Sequence, residues 1–255
     1  MITFSEAQLT AWLSPLIWPF LRTLALFTSA PVFSSKAVPV RARIALAFFV
    51  ALAAQPSLEG QPMVSINDPG AFGAVLQQVG VGLAIGFAIR VVFAAVELAG
   101  EVVGFQMGLG FASFFDPSMG GQSSAVARFF GQMATFMFVV MGGHVMVLMT
   151  VISSFTAFPV DQNFLDALKQ MKIYDLGTDL FASGLWMALP MVGMLMFANL
   201  ALGIVSRVAP QMNIYAIGFP ITLTVGLVGM AATLPMLDQP FLALMGRAID
   251  IFSPR

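Results

Sequence analysis

Three charged residues within a long apolar run are the first candidates for chemistry. Arg90, Glu97 and Glu101 stand seven and four residues apart in residues 70–107. In a helix these separations place all three on one face. A charge at membrane depth costs at least about 2.5 kcal/mol unless it meets a partner, a cavity or neutralisation, so each should face protein or water. The pattern fits either a proton or ion relay or an interhelical salt-bridge set that fixes subunit register.

Two other side chains raise the question of enzymatic or metal chemistry. His144 is the only histidine and cysteine is absent, so no second imidazole or thiolate exists to complete a zinc site. Phe181-Ala-Ser183-Gly184 resembles the serine motif of intramembrane proteases, with His144 as its base in principle. Such a triplet is also common in closely packed helices. We therefore expect His144 to be a hydrogen-bonded packing residue and predict no catalytic, metal or cofactor site.

The elements that must position these residues are apolar and membrane-like. The chain has 255 residues, of which 59% are hydrophobic and 9% are charged, and its mean hydropathy is +0.92. Ordinary soluble domains carry about 25% charged residues. The net charge of −1 disfavours nucleic-acid binding, because it leaves no basic field. We predict an all-α membrane protein with a single domain over residues 1–255.

Hydropathy divides the chain into six apolar runs. They cover residues 9–33, 44–54, 70–107, 129–152, 180–206 and 214–237. By the positive-inside rule the basic loop from Lys36 to Arg43 is cytoplasmic, and six crossings then put both termini outside. The second run is too short to span alone, and proline and glycine recur in nearly every long run. Because broken helices at membrane depth need surrounding protein or a water-filled cavity, we predict broken, hairpin-like helices packed in a larger helical assembly.

Two shorter features complete the helical prediction. Residues 238–252 are typical of a short amphipathic helix with Arg247 and Asp250 on its polar side. Arg22, within the first apolar run, is expected to snorkel or to pair at a helix end.

A stripe of glycines leads into a soft apolar loop. Gly100, Gly104 and Gly108 recur every four residues, so they predict a flat helical face that another backbone can approach closely. Beyond them, Phe and Met side chains alternate with glycines around a turn at Asp116-Pro117. Such a loop either packs into its own fold or closes a pore by excluding water. The candidate gate residues are Gly110, Phe111, Phe114, Phe115 and Met119.

One segment carries a specific resemblance to a known family. Ser206-Arg-Val-Ala-Pro-Gln-Met-Asn-Ile-Tyr-Ala-Ile-Gly-Phe-Pro220 resembles the signature of the FliR family, the R subunit of the flagellar type III protein-export gate. The segment from Pro31 to Arg43 resembles that family's first basic loop, and the segment from Gly104 to Ala112 resembles its central loop. The resemblance therefore covers nearly the whole chain in order. The signature positions are Arg207, Pro210, Gln211, Asn213, Gly218 and Pro220.

The resemblance implies a subunit of a larger machine. In that family the R subunit joins FliP and FliQ, with FlhB as a further partner, around a channel that conducts unfolded flagellar proteins. It implies a location in the bacterial inner membrane at the flagellar basal body, and helices that do not follow a simple spanning topology. Because the R subunit resembles a fusion of the other two, the chain is expected to have an N-terminal and a C-terminal half.

The resemblance also assigns roles to residues. It maps the family's plug loop onto Phe111, Phe114, Phe115 and Met119. It places Pro210, Gln211 and Asn213 in a helix-breaking turn near the cytoplasmic entrance. No P-loop motif occurs in the sequence, so the energy for export would come from partners. The alternatives are an R-type subunit of a virulence injectisome and, more remotely, a self-contained ion-coupled transporter that uses the three charges of the long apolar run.

Overall fold

The fold is helical throughout the residues that the structure describes. A computed structural model describes residues 6–58, 64–111, 124–161, 164–211 and 213–253. These ranges contain nine α-helices and no β-strand, which confirms the all-α prediction. The helices are α1 Glu6–Ser29, α2 Val40–Leu58, α3 Ala71–Gln106, α4 Ala125–Val140, α5 Gly143–Ala157, α6 Phe164–Met171, α7 Asp175–Val208, α8 Ile214–Thr233 and α9 Asp238–Asp250.

The fourth apolar run is broken at a glycine. Gly142 has a φ of 71°, a left-handed conformation that glycine adopts without steric cost. Its N–H donates to the carbonyl of Val139 at 3.2 Å, and α5 begins at the next residue. As a result α4 and α5 meet at a bend of 68°. This pair confirms that a long apolar run here is a broken helix.

Fewer helices qualify as membrane spans than the hydropathy pattern predicted. In the described part of the chain three segments are long and apolar enough to cross a membrane, namely α3, α7 and residues 216–236. The bent pair of α4 and α5 would make a fourth. The six-crossing topology stays a prediction, since this count rests on length and composition of the described residues alone. Its fourth run is not one straight helix.

The chain divides into two compact units, each discontinuous in sequence. The first unit comprises residues 1–91, 138–177 and 245–255, and the second comprises residues 92–137 and 178–244. In the first unit α1 packs against α2, and α2 packs against α5. The rings of Phe27 and Phe33 stack there at 4.6 Å between centroids. The expected N-terminal and C-terminal halves stay a prediction.

The last helix confirms the amphipathic pattern read from residues 238–252. Its buried side chains recur at helical spacing, whereas Arg247 and Asp250 are exposed on the other side of α9. A stripe of this spacing is what anchors a helix to a core. The buried residues are Phe241, Leu244, Met245 and Ala248.

Candidate functional site

The glycine face of α3 exists at two of its three predicted positions. In the second unit a Cβ at Gly100 would lie 2.7 Å from the Cα of Ala127, and a Cβ at Gly104 would lie 3.0 Å from the Oγ of Ser124. Both glycines are fully or nearly buried. The backbone that approaches this face therefore belongs to α4 of the same chain. Close approach of backbones at small residues is the usual device of membrane helix packing.

Gly108 does not continue this face, and the sequence prediction is corrected there. Helix α3 ends at Gln106, and Gly108 has a φ of 83°. Its N–H donates to the carbonyl of Phe105 at 3.0 Å, which closes the last turn. Glycine in a left-handed conformation is a common helix terminator. Gly108 thus ends α3 and turns the chain toward the loop.

The loop between α3 and α4 lies mostly outside the described residues. Phe114, Phe115 and Met119 belong to the undescribed stretch 112–123. Gly110 and Phe111 lie in a short 3₁₀ turn, Leu109–Phe111, directly after α3. The role of these five residues as a plug stays a prediction.

The far end of that loop is held by a carboxylate. The backbone N–H of Ser124 donates to Oε1 of Glu101 at 2.9 Å, and the Oγ of Ser124 accepts from the N–H of Ala127 at 3.1 Å. Together they cap the start of α4, where helix N–H groups lack partners and negative charge is favourable. Glu101 is therefore a capping residue, a role that the sequence reading did not assign to it.

The other two charges of α3 lie on its surface. Arg90 and Glu97 are exposed in this chain by itself, so their burial among other subunits stays a prediction. A Cβ at Gly131 would lie 2.8 Å from Oε1 of Glu97, which puts that carboxylate over the side of α4. Because α3 is long and apolar enough to cross a membrane, the exposed charge of Arg90 calls for a neighbouring subunit or water.

The signature residues form the turn of a helical hairpin. Helix α7 ends at Val208, and Pro210 and Gln211 occupy an exposed turn before α8. Asn213 caps α8, since its side chain accepts from the N–H of Ala216 at 3.4 Å. The remaining signature positions are Arg207 in the last turn of α7, and Gly218 and Pro220 within α8. The helix-breaking character of this turn is therefore visible in the structure.

A buried arginine is the main feature that sequence reasoning missed. Arg22 is fully buried in the first unit rather than snorkelling. Its guanidinium donates from Nε to Gln78 Oε1 at 2.8 Å, from Nη1 to Ser154 Oγ at 2.8 Å and from Nη2 to Phe158 O at 2.7 Å. It also lies 3.6 Å from the centroid of the Phe155 ring. Every branch of the fork is thus occupied, as a buried charge requires.

The polar network around Arg22 extends through two glutamines to Asp161. Gln78 donates to Gln77 at 2.9 Å, and Gln77 exchanges two hydrogen bonds of 2.9 Å with Asp161. The signal in the sequence was the pair Gln77-Gln78, two amides inside an apolar run that also needed a partner. Joined to Arg22, these side chains tie α1, α3 and α5 together by directional bonds.

The hydrolase hypothesis gains no support from the positions of its two residues. Ser183 is buried in α7, and a Cβ at the adjacent Gly184 would lie 2.8 Å from the carbonyl oxygen of Ala95. The triplet therefore serves close helix packing. His144 is exposed at the start of α5, which corrects its expected role as a packing residue. Among the described residues no cluster of three or more potential ligands could hold a metal ion.

Comparison with known proteins gives matches over nearly the whole chain. Residues 13–248 match the family model of bacterial export proteins, family 1. The flagellar biosynthetic protein FliR of Pectobacterium carotovorum subsp. carotovorum is 37% identical over 253 residues, which cover 99% of this chain and 97% of the relative. FliR of Escherichia coli K12 is 37% identical over 94% and 92% of the two chains. FliR of Bacillus subtilis is 31% identical over 82% of each.

Proposed function

The chain belongs to the family of bacterial export proteins, family 1, and we propose that it is the membrane subunit of this family in a flagellar type III export gate. It serves flagellar biosynthesis and the export of flagellar proteins. The observation that carries this function is the likeness to flagellar FliR proteins, which reaches 37% identity over 99% of the chain.

Within the gate the chain forms part of the wall of the protein-conducting channel. The exposed apolar surface of the α7 and α8 hairpin supports this role. Only 17% of the most apolar stretch of α7 and 28% of that of residues 216–236 are buried, whereas 67% of the corresponding stretch of α3 is buried. Apolar helices this bare need lipid or other helices around them. FliP, FliQ and FlhB are the partners that would supply such helices in the bacterial inner membrane at the flagellar base.

The loop after α3 acts as the stopper of that channel. Its undescribed part contains Phe114, Phe115 and Met119, apolar side chains able to exclude water from a narrow pore. Gly110 and Phe111 form the described start of the same loop. The stopper needs no covalent chemistry, so the subunit acts as a structural component and the driving energy comes from partners.

Complementation tests the function and separates it from its rivals. A flagellated bacterium that lacks its own FliR is given this chain, and the secretion of flagellar proteins into the medium is measured together with swimming. We expect both to be restored. A parallel strain that lacks an injectisome R-type subunit reports virulence secretion instead. Restoration there alone would assign the chain to an injectisome, and restoration in neither, with the chain present in the membrane, would contradict the proposal.

Two variants address the remaining classes of function in the same assay. Ser183→Ala should leave secretion intact if the serine only packs, whereas loss with normal assembly would favour a hydrolase. The chain purified alone and reconstituted in vesicles should show no ion-driven substrate flux. Flux that disappears on Glu97→Gln would favour a transporter.

A further inference from the structure

The residue that follows α3 is locked into a notch of α8. The side chain of Met107 is fully buried. Its Cγ, Sδ and Cε would lie 2.5, 2.6 and 2.6 Å from a Cβ placed on Gly226. The three outermost atoms of Met107 therefore fill the space that any side chain at position 226 would need. All of these atoms belong to the second unit.

The backbone of the same residue is held by the preceding turn of α8. The hydroxyl of Thr222 lies 3.1 Å from the carbonyl oxygen of Phe219 in its own helix and 3.3 Å from that of Met107, so its one hydrogen is shared between these two acceptors. Thr222 is itself buried. Positions 222 and 226 are one helical turn apart, so they lie on one face of α8. Met107 is thus fixed to that face through its side chain and through its carbonyl group.

Met107 forms the stem of the loop, that is, the point at which the chain leaves α3. Gly108 follows in a left-handed conformation with a φ of 83°, and a Cβ at Gly110 would lie 2.5 Å from Cδ1 of Phe105. The ring of Phe105 therefore covers the chain where it leaves α3. At the opposite end Glu101 holds Ser124. Because both ends are fastened, the position of the stem depends on the contacts that fasten it.

We propose that Met107, Thr222 and Gly226 form a clasp by which α8 positions the stem of the channel stopper, with Gly226 as a positioning residue. The proposal rests on the function proposed above. The clasp ties the stem to the second helix of the signature hairpin, since α8 begins at Ile214, directly after that turn. A side chain at position 226 takes the space that the outer atoms of Met107 fill. Met107 must then leave this position, which releases the stem although the stopper's own residues are unchanged.

The test measures ion conductance of the purified, fully assembled gate in planar bilayers. We expect Gly226→Ala to raise the resting conductance about tenfold, which corresponds to a shift of about 1.4 kcal/mol between held and released stems. The matched control is Gly193→Ala in α7, because a Cβ there meets nothing within 4 Å. This control should conduct like the unmodified gate. Equal conductance of Gly226→Ala and Gly193→Ala in intact complexes would overturn the clasp.

A second variant covers the case in which Gly226→Ala does not assemble. Thr222→Val keeps the volume of the side chain and removes the donor to Met107, so we expect conductance to rise about threefold to tenfold. An assembled Thr222→Val gate with unchanged conductance would contradict the clasp even then.

A reversible crosslink separates positioning from general loss of stability. The chain has no cysteine, so Met107→Cys combined with Gly226→Cys introduces its only pair of thiols at a contact short enough for a disulfide. The reduced variant should leak like Gly226→Ala, and oxidation should return the conductance to the level of the unmodified gate. Leakage that persists after complete oxidation, or absence of the disulfide, would refute the clasp.

The double variant Phe114→Ala with Phe115→Ala distinguishes failure of the clasp from failure of the stopper. If it leaks and Gly226→Ala does not, the stopper stands and the clasp is wrong. If neither leaks, the loop is not a stopper and the clasp proposal falls with it. Leakage in both supports the two proposals together.

Discussion

Gly100 packs so closely on Ala127 that a Cβ at position 100 would lie 2.7 Å from the Cα of its neighbour. The obstacle is backbone, which a rotamer change cannot move aside. The contact fixes the distance between α3 and α4, the two helices that border the candidate stopper loop. The glycine stripe of the sequence is thus part of the architecture of the second unit.

Gly100→Ala should destabilise the second unit. Overpacking a close contact costs about 1–3 kcal/mol, whereas Gly193→Ala, at an open helical position, should gain up to about 1 kcal/mol from helix propensity. The thermal midpoints of the two variants, measured in detergent by intrinsic fluorescence, should therefore move in opposite directions. Equal midpoints would show that α3 and α4 are less closely packed than described.

Arg22→Met should destabilise the first unit, because it removes the guanidinium and leaves its acceptors buried. Each unsatisfied buried group costs about 1–3 kcal/mol, and the acceptors lie on Gln78, Ser154 and Phe158. Arg22→Lys retains the charge without the planar fork, so its stability should lie between that of the unmodified chain and that of Arg22→Met. Resistance to limited proteolysis measures the effect. The control is Arg41→Met, an exposed position of α2. An equal loss of protease resistance in this control would show that Arg22 has no special role in stability.

Glu101→Leu should loosen the start of α4, because the N–H of Ser124 loses its acceptor. Glu101→Gln keeps an acceptor oxygen and loses only the favourable charge at a helix N-terminus, worth about 0.3–1 kcal/mol. Hydrogen exchange followed by mass spectrometry should therefore accelerate in a peptide that contains Ser124 to Ala127, strongly for Leu and weakly for Gln. Unchanged exchange in both variants would mean that the cap is absent in solution.

Phe114→Ala combined with Phe115→Ala should raise ion leakage through the assembled gate without lowering its yield. Smaller side chains widen an apolar constriction and admit water. Single-channel recording on purified complexes measures this effect, with Phe129→Ala, an exposed residue of α4, as a comparison outside the loop. A leak equal to that of the comparison variant would remove the stopper function from these two residues.

Local residue chemistry explains where the helices break better than it explains which helices pack together. Gly142 and Asn213 are residue types that end or begin helices, and they do so here. Gly108 has the same helix-ending chemistry, yet a four-residue spacing favoured placing it on the face of α3. Spacing identifies a face only while the helix continues. A left-handed glycine at the end of a helix stops that periodicity.

Long-range contacts explain the remaining differences. Arg22 lies 132 residues from Ser154 in the chain, so no local pattern could show that its fork would be satisfied in a core. The notch at Gly226 is equally invisible in the sequence, because the residue that fills it, Met107, comes from the distant segment that follows α3. Arg90 and Glu97 are exposed in the single chain. Their predicted burial would require neighbouring subunits, which a single chain does not include.

The central claim is that this chain works as one subunit of a mixed export gate, and native mass spectrometry tests it most directly. The chain is tagged, extracted from the membrane in mild detergent, and weighed intact together with whatever remains bound. We predict a single particle that contains this chain with FliP and FliQ. A stable monomer, released from the same membranes in cells that secrete flagellar proteins normally, would contradict the account.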